Sequence, residues 1–216
     1  MPLPLPHHSP QWLRSYPPLR FERLFNRRSP YPYCRDSIWG IRQLHQPIVD
    51  GRLRYRLHRI PEGIVMSALL DDLRGTGRES AAHQTLKRIG RDWMWAEGAY
   101  DAENEVECLT GRADAYSQER QWVLEVGSTE IGRLLKAMEF AGCYAEPMHR
   151  FTLLPFQPVR WADGSPRGVL AVDISCDADL CREMWGHHWA AMERAANSFS
   201  CKGRRSPASS SQGGQG

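Results

Sequence analysis

The sequence lacks any long apolar run and any pattern that marks a secreted protein. Its longest apolar run covers residues 63–70, which is eight residues and includes Ser67. A membrane-spanning helix needs roughly 18 or more such residues. Pro2, Pro4 and Pro6 would interrupt an apolar leader helix, so we expect no secretory signal. We therefore expect a cytoplasmic protein with no membrane partner.

Cysteine is present, but not in the spacings that mark a disulfide framework or a zinc module. The six cysteines form no C-x-x-C pair, and without a secretory signal we interpret them as free thiols. Cys176 and Cys181 lie near His187 and His188, but their spacing fits no familiar zinc finger. His188 falls on one helical stripe with Met184, which indicates core packing, so we do not expect zinc.

Lysine is absent from residues 1–60, whereas arginine is abundant there. That region holds eleven arginines and three acids, a net charge of +8, so the other 156 residues carry −5 of the total +3. It also holds nine of the fifteen prolines, with aromatic residues such as Phe25 and Trp39 interleaved. Arginines neutralise phosphates and aromatic rings stack on bases, which suits a polyanion such as DNA. The alternative is a poorly ordered tail that is merely well solvated.

Composition and periodicity divide the chain into four parts. We expect a disordered Pro/Arg-rich arm over residues 1–35 and an extension with a strand and a short helix over 36–77. A folded domain over 78–200 and a disordered tail over 201–216 follow. In the extension, Arg52, Arg54 and Arg56 alternate with apolar residues, which predicts a strand whose basic face is suited to nucleic acid.

Residues 79–200 predict an α/β (α+β) fold. Leu86, Ile89 and Trp93 recur at helical spacing, and one flank of that helix carries three polar residues at successive turns: Glu79, His83 and Lys87. Strands are predicted over 105–109, around Asp114 and over 122–126, followed by a helix over 129–140 and a strand over 151–156. This core order is αβββαβ. A strand over 168–174 and a C-terminal helix capped by Asp177 complete the domain.

Two carboxylates lie on neighbouring predicted strands. Asp114 and Glu125 are eleven residues apart, with a hairpin tip at 117–120 between them. Two adjacent acids repel unless a cation lies between them, and a divalent metal ion is the usual cation. From the pair alone, two acids on the solvated face of an open sheet are the more ordinary explanation.

The order of elements and acids resembles that of the PD-(D/E)xK nuclease superfamily. The motif residues are most similar to the competence CoiA-like branch, over about residues 78–157: Glu79-Ser80-x-x-His83-x-x-Leu86-Lys87, Arg112-x-Asp114 and Glu125-Val126-Gly127. The resemblance implies a restriction-endonuclease-like core and hydrolysis of DNA phosphodiester bonds in DNA uptake, transfer or recombination. It further implies Asp114 and Glu125 as ligands of Mg²⁺ (or Mn²⁺), with Glu79 as a supporting acid.

One position departs from the family pattern. The family's lysine, two residues after the glutamate, is Gly127 here. Such a lysine positions water and offsets phosphoryl charge, so its loss weakens the case for catalysis. Lys87 and Lys136 are the available substitutes, although each alone is equally well explained as part of a solvated helix face. Lys136 lies on a helix for which Ser128 is the predicted N-cap.

Three functions remain open from the sequence. The first is a Mg²⁺-dependent DNA endonuclease or exonuclease, with catalytic residues Glu79, Asp114, Glu125, Lys87, Lys136 and His83, and DNA contacts from Arg52, Arg54, Arg56 and Arg112. The second is a nuclease fold that has lost its chemistry and serves as a DNA-binding or assembly subunit, which Gly127 favours. The third is an unrelated α/β protein whose basic arm binds RNA or an acidic partner. The sequence also leaves a homodimer open.

Overall fold

The architecture is a mixed sheet between two layers of helices. A computed structural model describes residues 24–26, 44–70, 79–108 and 111–202, without the side chains of 26 and 195–202. The helices are α1 (44–49), α2 (Glu62–Leu70), α3 (Ala81–Ala96), α4 (Ile131–Cys143) and α5 (Ala178–Lys202). The strands are β1 (Phe25–Asn26), β2 (Leu53–Ile60), β3 (Glu103–Cys108), β4 (Gly111–Ser117), β5 (Trp122–Val126), β6 (Thr129–Glu130), β7 (Met148–Leu154) and β8 (Val169–Cys176). This confirms the α/β class.

Six strands form one mixed sheet in the order β2-β8-β7-β5-β4-β3. Strands β3, β4 and β5 are an antiparallel meander, whereas β5 and β7 are parallel. Parallel neighbours need a crossover connection, and α4 supplies it. Strand β8 is antiparallel to both of its neighbours, β7 and β2.

Each face of the sheet carries its own apolar cluster. On one face, α2 and α3 pack through residues such as Val65, Leu86 and Ile89. On the other, α4 and α5 pack through Leu134 and Leu180, among others. Successive residues of β5 alternate between the clusters, as strand geometry requires: Val123 belongs to the second and Leu124 to the first. We call these surfaces the α3 face and the α4 face.

Helix α3 is confirmed as a helix, but it begins at Ala81 rather than at the predicted Glu79, and it lies very close to the sheet. Ser80 caps it, because its hydroxyl accepts a hydrogen bond from the backbone N–H of His83 at 3.2 Å. Glu79 therefore precedes the helix. Gly90 permits the close approach, since a Cβ there would lie only 2.8 Å from the Leu124 side chain. Helix α3 is thereby fixed directly over β5.

Helix α4 begins later than predicted, and Ser128 is not its cap. Thr129 and Glu130 form β6, which pairs in parallel with β1. The N-cap position is therefore Glu130, whose side chain makes no capping hydrogen bond. Helix α5 does have its predicted cap, because the Leu180 N–H donates to Asp177 Oδ1 at 2.7 Å.

Part of the predicted disordered arm is instead built into the core. Leu24 and Phe25 are buried in the α4-face cluster, so Phe25 is not available to stack on bases as predicted. The rest of the arm and the tail beyond residue 202 lie outside the described residues. The predicted basic strand is confirmed as β2, with Arg54 and Arg56 exposed at a sheet edge. Within the described ranges, no helix is long and apolar enough to cross a membrane.

Candidate functional site

Asp114 lies where the pairing of two strands is interrupted. Strands β4 and β5 pair from Ser117 to Ala115, which is opposite Leu124, and the ladder stops there. The Val126 N–H donates instead to the Asp114 side chain, at 2.7 Å from Oδ2. The other oxygen, Oδ1, faces helix α3, at 3.3 Å from His83 Nε2. Asp114 therefore presents its carboxylate to the α3 face.

Lys87 is surrounded by carboxylates on that face. Its side chain is only 5% exposed, and its Nζ lies 2.6 Å from Glu79 Oε1 and 3.2 Å from Asp114 Oδ1. The same ammonium also contacts Glu105 Oε1. A buried ammonium is tolerated only when anions compensate for its lost hydration, and here three do so. We call Glu79, Lys87, Glu105 and Asp114 the carboxylate–lysine cluster.

Glu105 joins this cluster through an unusual backbone. Its φ is +62°, a left-handed conformation in the middle of β3. The neighbouring pairs, Asn104 with Ala115 and Val106 with Ala113, set Glu105 opposite Asp114. Arg112 holds its second oxygen, with Nε 2.8 Å from Oε2. Such backbone strain concentrates at functional sites, and periodicity alone gives no sign of it. Glu105 was for that reason not predicted from the sequence as a site residue.

A cleft opens onto the cluster. Its volume is about 510 Å³, and its lining includes Glu79, Lys87, Arg88, Glu105 and Arg112. Of the predicted residues, Glu79, Lys87 and Arg112 line the cleft. Asp114 contacts Lys87, and His83 contacts Asp114, so these two residues adjoin the lining. Acidic and basic side chains both line the cleft, which suits an anionic ligand that binds together with a cation.

Glu125 lies on the other face, contrary to the predicted pairing with Asp114. It is opposite Leu153, a residue of the α4-face cluster. Arg133 Nη1 is 2.6 Å from its Oε1, and the Thr129 hydroxyl is 3.4 Å from its Oε2. Burial raises the pKa of Glu125 to about 7; the Asp114 charge adds to this, and Arg133 opposes it. A regular β4–β5 ladder would have set the two acids side by side, but the break at Asp114 separates them.

The remaining predicted residues also lie away from the cluster. Lys136 is on α4, which packs on the face opposite to α3. Arg52, Arg54 and Arg56 are at or beside β2, four strand positions from β4, which corresponds to roughly 19 Å. Arg52 is already paired, with Nη2 3.0 Å from Glu183 Oε2.

A lysine at position 127 would strain the backbone and displace the Phe156 ring. The φ of Gly127 is +81°, and a Cβ there would lie 2.3 Å from the nearest atom of the Phe156 ring. That ring is 58% exposed and lies beside His83, with ring centroids 5.7 Å apart. The buried ammonium nearest to the acids therefore comes from helix α3, as Lys87, rather than from β5.

The donor atoms of the cluster suit a hard cation better than zinc. All three acids offer carboxylate oxygens, the ligands that Mg²⁺ and Mn²⁺ prefer. In this arrangement they surround an ammonium, and within the described ranges no three His, Cys, Asp or Glu side chains are gathered as a metal-binding group. In helix α5, His188 Nδ1 lies 3.3 Å from Glu139 Oε2 of helix α4.

No family model matches the sequence, and neither does any curated protein or any solved structure. The functional interpretation therefore depends on the residues and on the geometry of the carboxylate–lysine cluster.

Proposed function

We propose that this protein is a metal-dependent phosphodiesterase that acts on DNA, with the carboxylate–lysine cluster as its active site. The observation that carries the proposal is the buried Lys87 ammonium among three carboxylates, two of which, Glu79 and Glu105, line a cleft together with Lys87. Phosphodiester hydrolysis needs anionic ligands for a metal ion and a cation for the phosphoryl charge. The cluster offers both within a few ångströms.

The order of elements supports a restriction-endonuclease-like core. Helix α3, the meander β3-β4-β5, helix α4 and the parallel strand β7 follow one another as the resemblance implies. The acids of the cluster come from the residue before the α3 N-cap and from the first two strands of that meander. On this proposal, Glu105 on the first strand takes the place that the resemblance gives to Glu125.

Each residue of the cluster has a defined task in this mechanism. Asp114, Glu105 and Glu79 would hold Mg²⁺ or Mn²⁺, which when bound polarises a phosphate oxygen and acidifies a water molecule. The Val126 N–H fixes the orientation of the Asp114 carboxylate. Lys87 offsets negative charge on the phosphate, and His83, at 3.3 Å from Asp114, accepts or returns a proton. Glu125 orients Arg133 and has no part in the chemistry.

The test is metal-dependent cleavage of linear and single-stranded DNA by purified isosteric variants. Asp114→Asn and Glu105→Gln should each lower the Mn²⁺-dependent rate by about 100-fold or more, because each removes a charge that holds the ion. Asp163→Asn changes an acid on an exposed loop and should leave the rate unchanged. Full activity in Asp114→Asn would refute the proposed site.

Glu125→Gln separates the structural site from the pair predicted by sequence. We expect it to retain cleavage, because its carboxylate faces Arg133 on the α4 face. A loss as large as that of Asp114→Asn, in a variant that remains folded, would mean that Glu125 belongs to the active site and Glu105 does not.

A second function has specific support, namely a DNA-binding or assembly subunit without catalysis. The Lys87 ammonium occupies the centre of the acids, where a metal ion would otherwise lie, and Gly127 replaces the family's lysine. On this alternative, wild-type protein binds DNA but never cuts it with Mg²⁺ or Mn²⁺, and neither ion changes its melting temperature. We expect either activity to operate in the cytoplasm.

A further inference from the structure

Two cysteines at the junction of the sheet and helix α5 are in direct contact. Cys176 ends β8 and Cys181 lies in the first turn of α5. Their Sγ atoms are 3.1 Å apart, about 1 Å more than the ~2.05 Å of a disulfide bond. Both side chains are buried, at 5% and 0% exposure. Neither residue contributes to the carboxylate–lysine cluster.

The backbone holds these two thiols together. A Cβ at Gly142 would lie 2.0 Å from the Cys181 carbonyl oxygen, so α4 is pressed directly against the first turn of α5. Asp177 caps the same turn through Leu180, and the Cys181 N–H donates to the Asp177 carbonyl at 3.2 Å. The first turn therefore has little freedom to carry Cys181 away from Cys176.

We propose that Cys176 and Cys181 are a redox modification site, a buried dithiol that closes reversibly into a disulfide between β8 and α5. The oxidant is hydrogen peroxide, which is little larger than water. The carboxylate–lysine cluster plays no part, so this proposal is independent of the proposed DNA cleavage.

The two sulfurs have different chemical roles. The hydrogen bond from Cys176 lowers the pKa of Cys181, and the same bond with burial raises the pKa of Cys176. Cys181 also lies near a helix N-terminus, which favours a thiolate. Cys181 is therefore the nucleophile and Cys176 the resolving thiol.

The reaction with hydrogen peroxide is balanced as follows. The Cys181 thiolate attacks one peroxide oxygen, an S–O bond forms, the O–O bond breaks, and hydroxide leaves. The Cys176 sulfur then attacks the Cys181 sulfur, so that an S–S bond forms and the S–O bond breaks. The second hydroxide takes the Cys176 proton. Two thiols are oxidised, and the peroxide is reduced to two molecules of water.

The experiment is peptide mass mapping after graded oxidation of the full chain. Trypsin cleaves after Arg167 and Arg182, which leaves both cysteines in one peptide, residues 168–182. With increasing hydrogen peroxide, this peptide should become lighter by two hydrogen atoms and lose both alkylatable thiols. Dithiothreitol should reverse the change. The melting temperature of the oxidised protein should rise by roughly 4–8 °C, because the new bond restricts the unfolded chain.

Two variants and one internal standard make the outcome decisive. Cys143 is exposed, so its oxidation reports that sufficient oxidant was present. Cys176→Ser should stop the loss of two hydrogens and instead allow oxygen to accumulate on Cys181, whereas Cys143→Ser should leave disulfide formation intact. The proposal is overturned if Cys143 is fully oxidised while peptide 168–182 keeps two thiols. Oxygen addition to wild-type Cys181 without closure would overturn it equally.

Discussion

The acidic side chains on the two faces of the sheet lie in opposite environments. On the α3 face, three carboxylates share one lysine beside an open cleft, and Glu79 and Glu105 remain more than a third exposed. On the α4 face, Glu125 is sealed at 3% exposure with Arg133 as its ion-pair partner. The first arrangement leaves oxygens within reach of a ligand. The second uses its carboxylate to join β5 to α4, so only the first has the geometry of a binding site.

The difference begins with one hydrogen bond. In a regular ladder Asp114 would lie opposite Glu125 and share its face. Because Asp114 accepts the Val126 N–H, the ladder ends at Ala115 and the Asp114 carboxylate turns toward α3. Acids in neighbouring positions thereby acquire unrelated environments, one polar and open, the other buried.

The largest expected effect on stability comes from removing the shared cation. Lys87→Met leaves three carboxylates facing one another, so we expect unfolding free energy to fall by about 3 kcal/mol at pH 7. Lys136→Met, on the opposite face, is the matched control and should change stability little. Urea titration of both variants at pH 7 measures the effect, and equal losses in the two variants would contradict it.

The next effect concerns the sealed acid. Glu125 has a folded pKa of about 7, above its ordinary value of about 4.3, so the folded state binds the additional proton. Stability from this group is present at low pH and is lost as pH rises through about 7. Relative to Glu125→Gln, the wild-type protein should lose about 2–3 kcal/mol between pH 5 and pH 8.

Chemical denaturation of both proteins across that pH range measures this difference. Arg133→Met should enlarge the loss, because it removes the cation that stabilises the Glu125 carboxylate. If the unfolding free energies of wild type and Glu125→Gln instead change with pH in parallel, Glu125 is ionised throughout that range. Other interactions would then offset the cost of burying its charge.

The smallest effect tests the glycine that replaces the family's lysine. Gly127 and Gly164 have the same φ, +81°, but a Cβ meets the Phe156 ring only at Gly127. We expect Gly127→Ala to cost about 1–2 kcal/mol and Gly164→Ala somewhat less, because both strain the backbone and only the first crowds the ring. In a Phe156→Ala background the two costs should become equal. An unchanged difference in thermal unfolding would mean that the ring does not limit residue 127.

Periodicity was sufficient to predict elements that bury one continuous face. Leu86, Ile89 and Trp93 predicted helix α3, and the alternation around Leu124 predicted β5, because a 3.6- or 2-residue repeat follows directly from backbone geometry. The predicted start of α4, with Ser128 as its N-cap, was wrong. That start depends on β1, which is distant in the chain, pairing with Thr129 and Glu130. The burial of Phe25 was missed for the same reason.

By itself, the sequence determined the kinds of elements, their order, and the presence of acids, a histidine and a lysine near one helix start. These features depend on short-range periodicity and spacing. Tertiary structure alone decided which acids lie together. The left-handed backbone of Glu105 places its side chain beside Lys87, whereas the side chain of Glu125 lies on the other face of the sheet. The direction of a strand side chain depends on where pairing breaks, and a pairing break involves two strands at once.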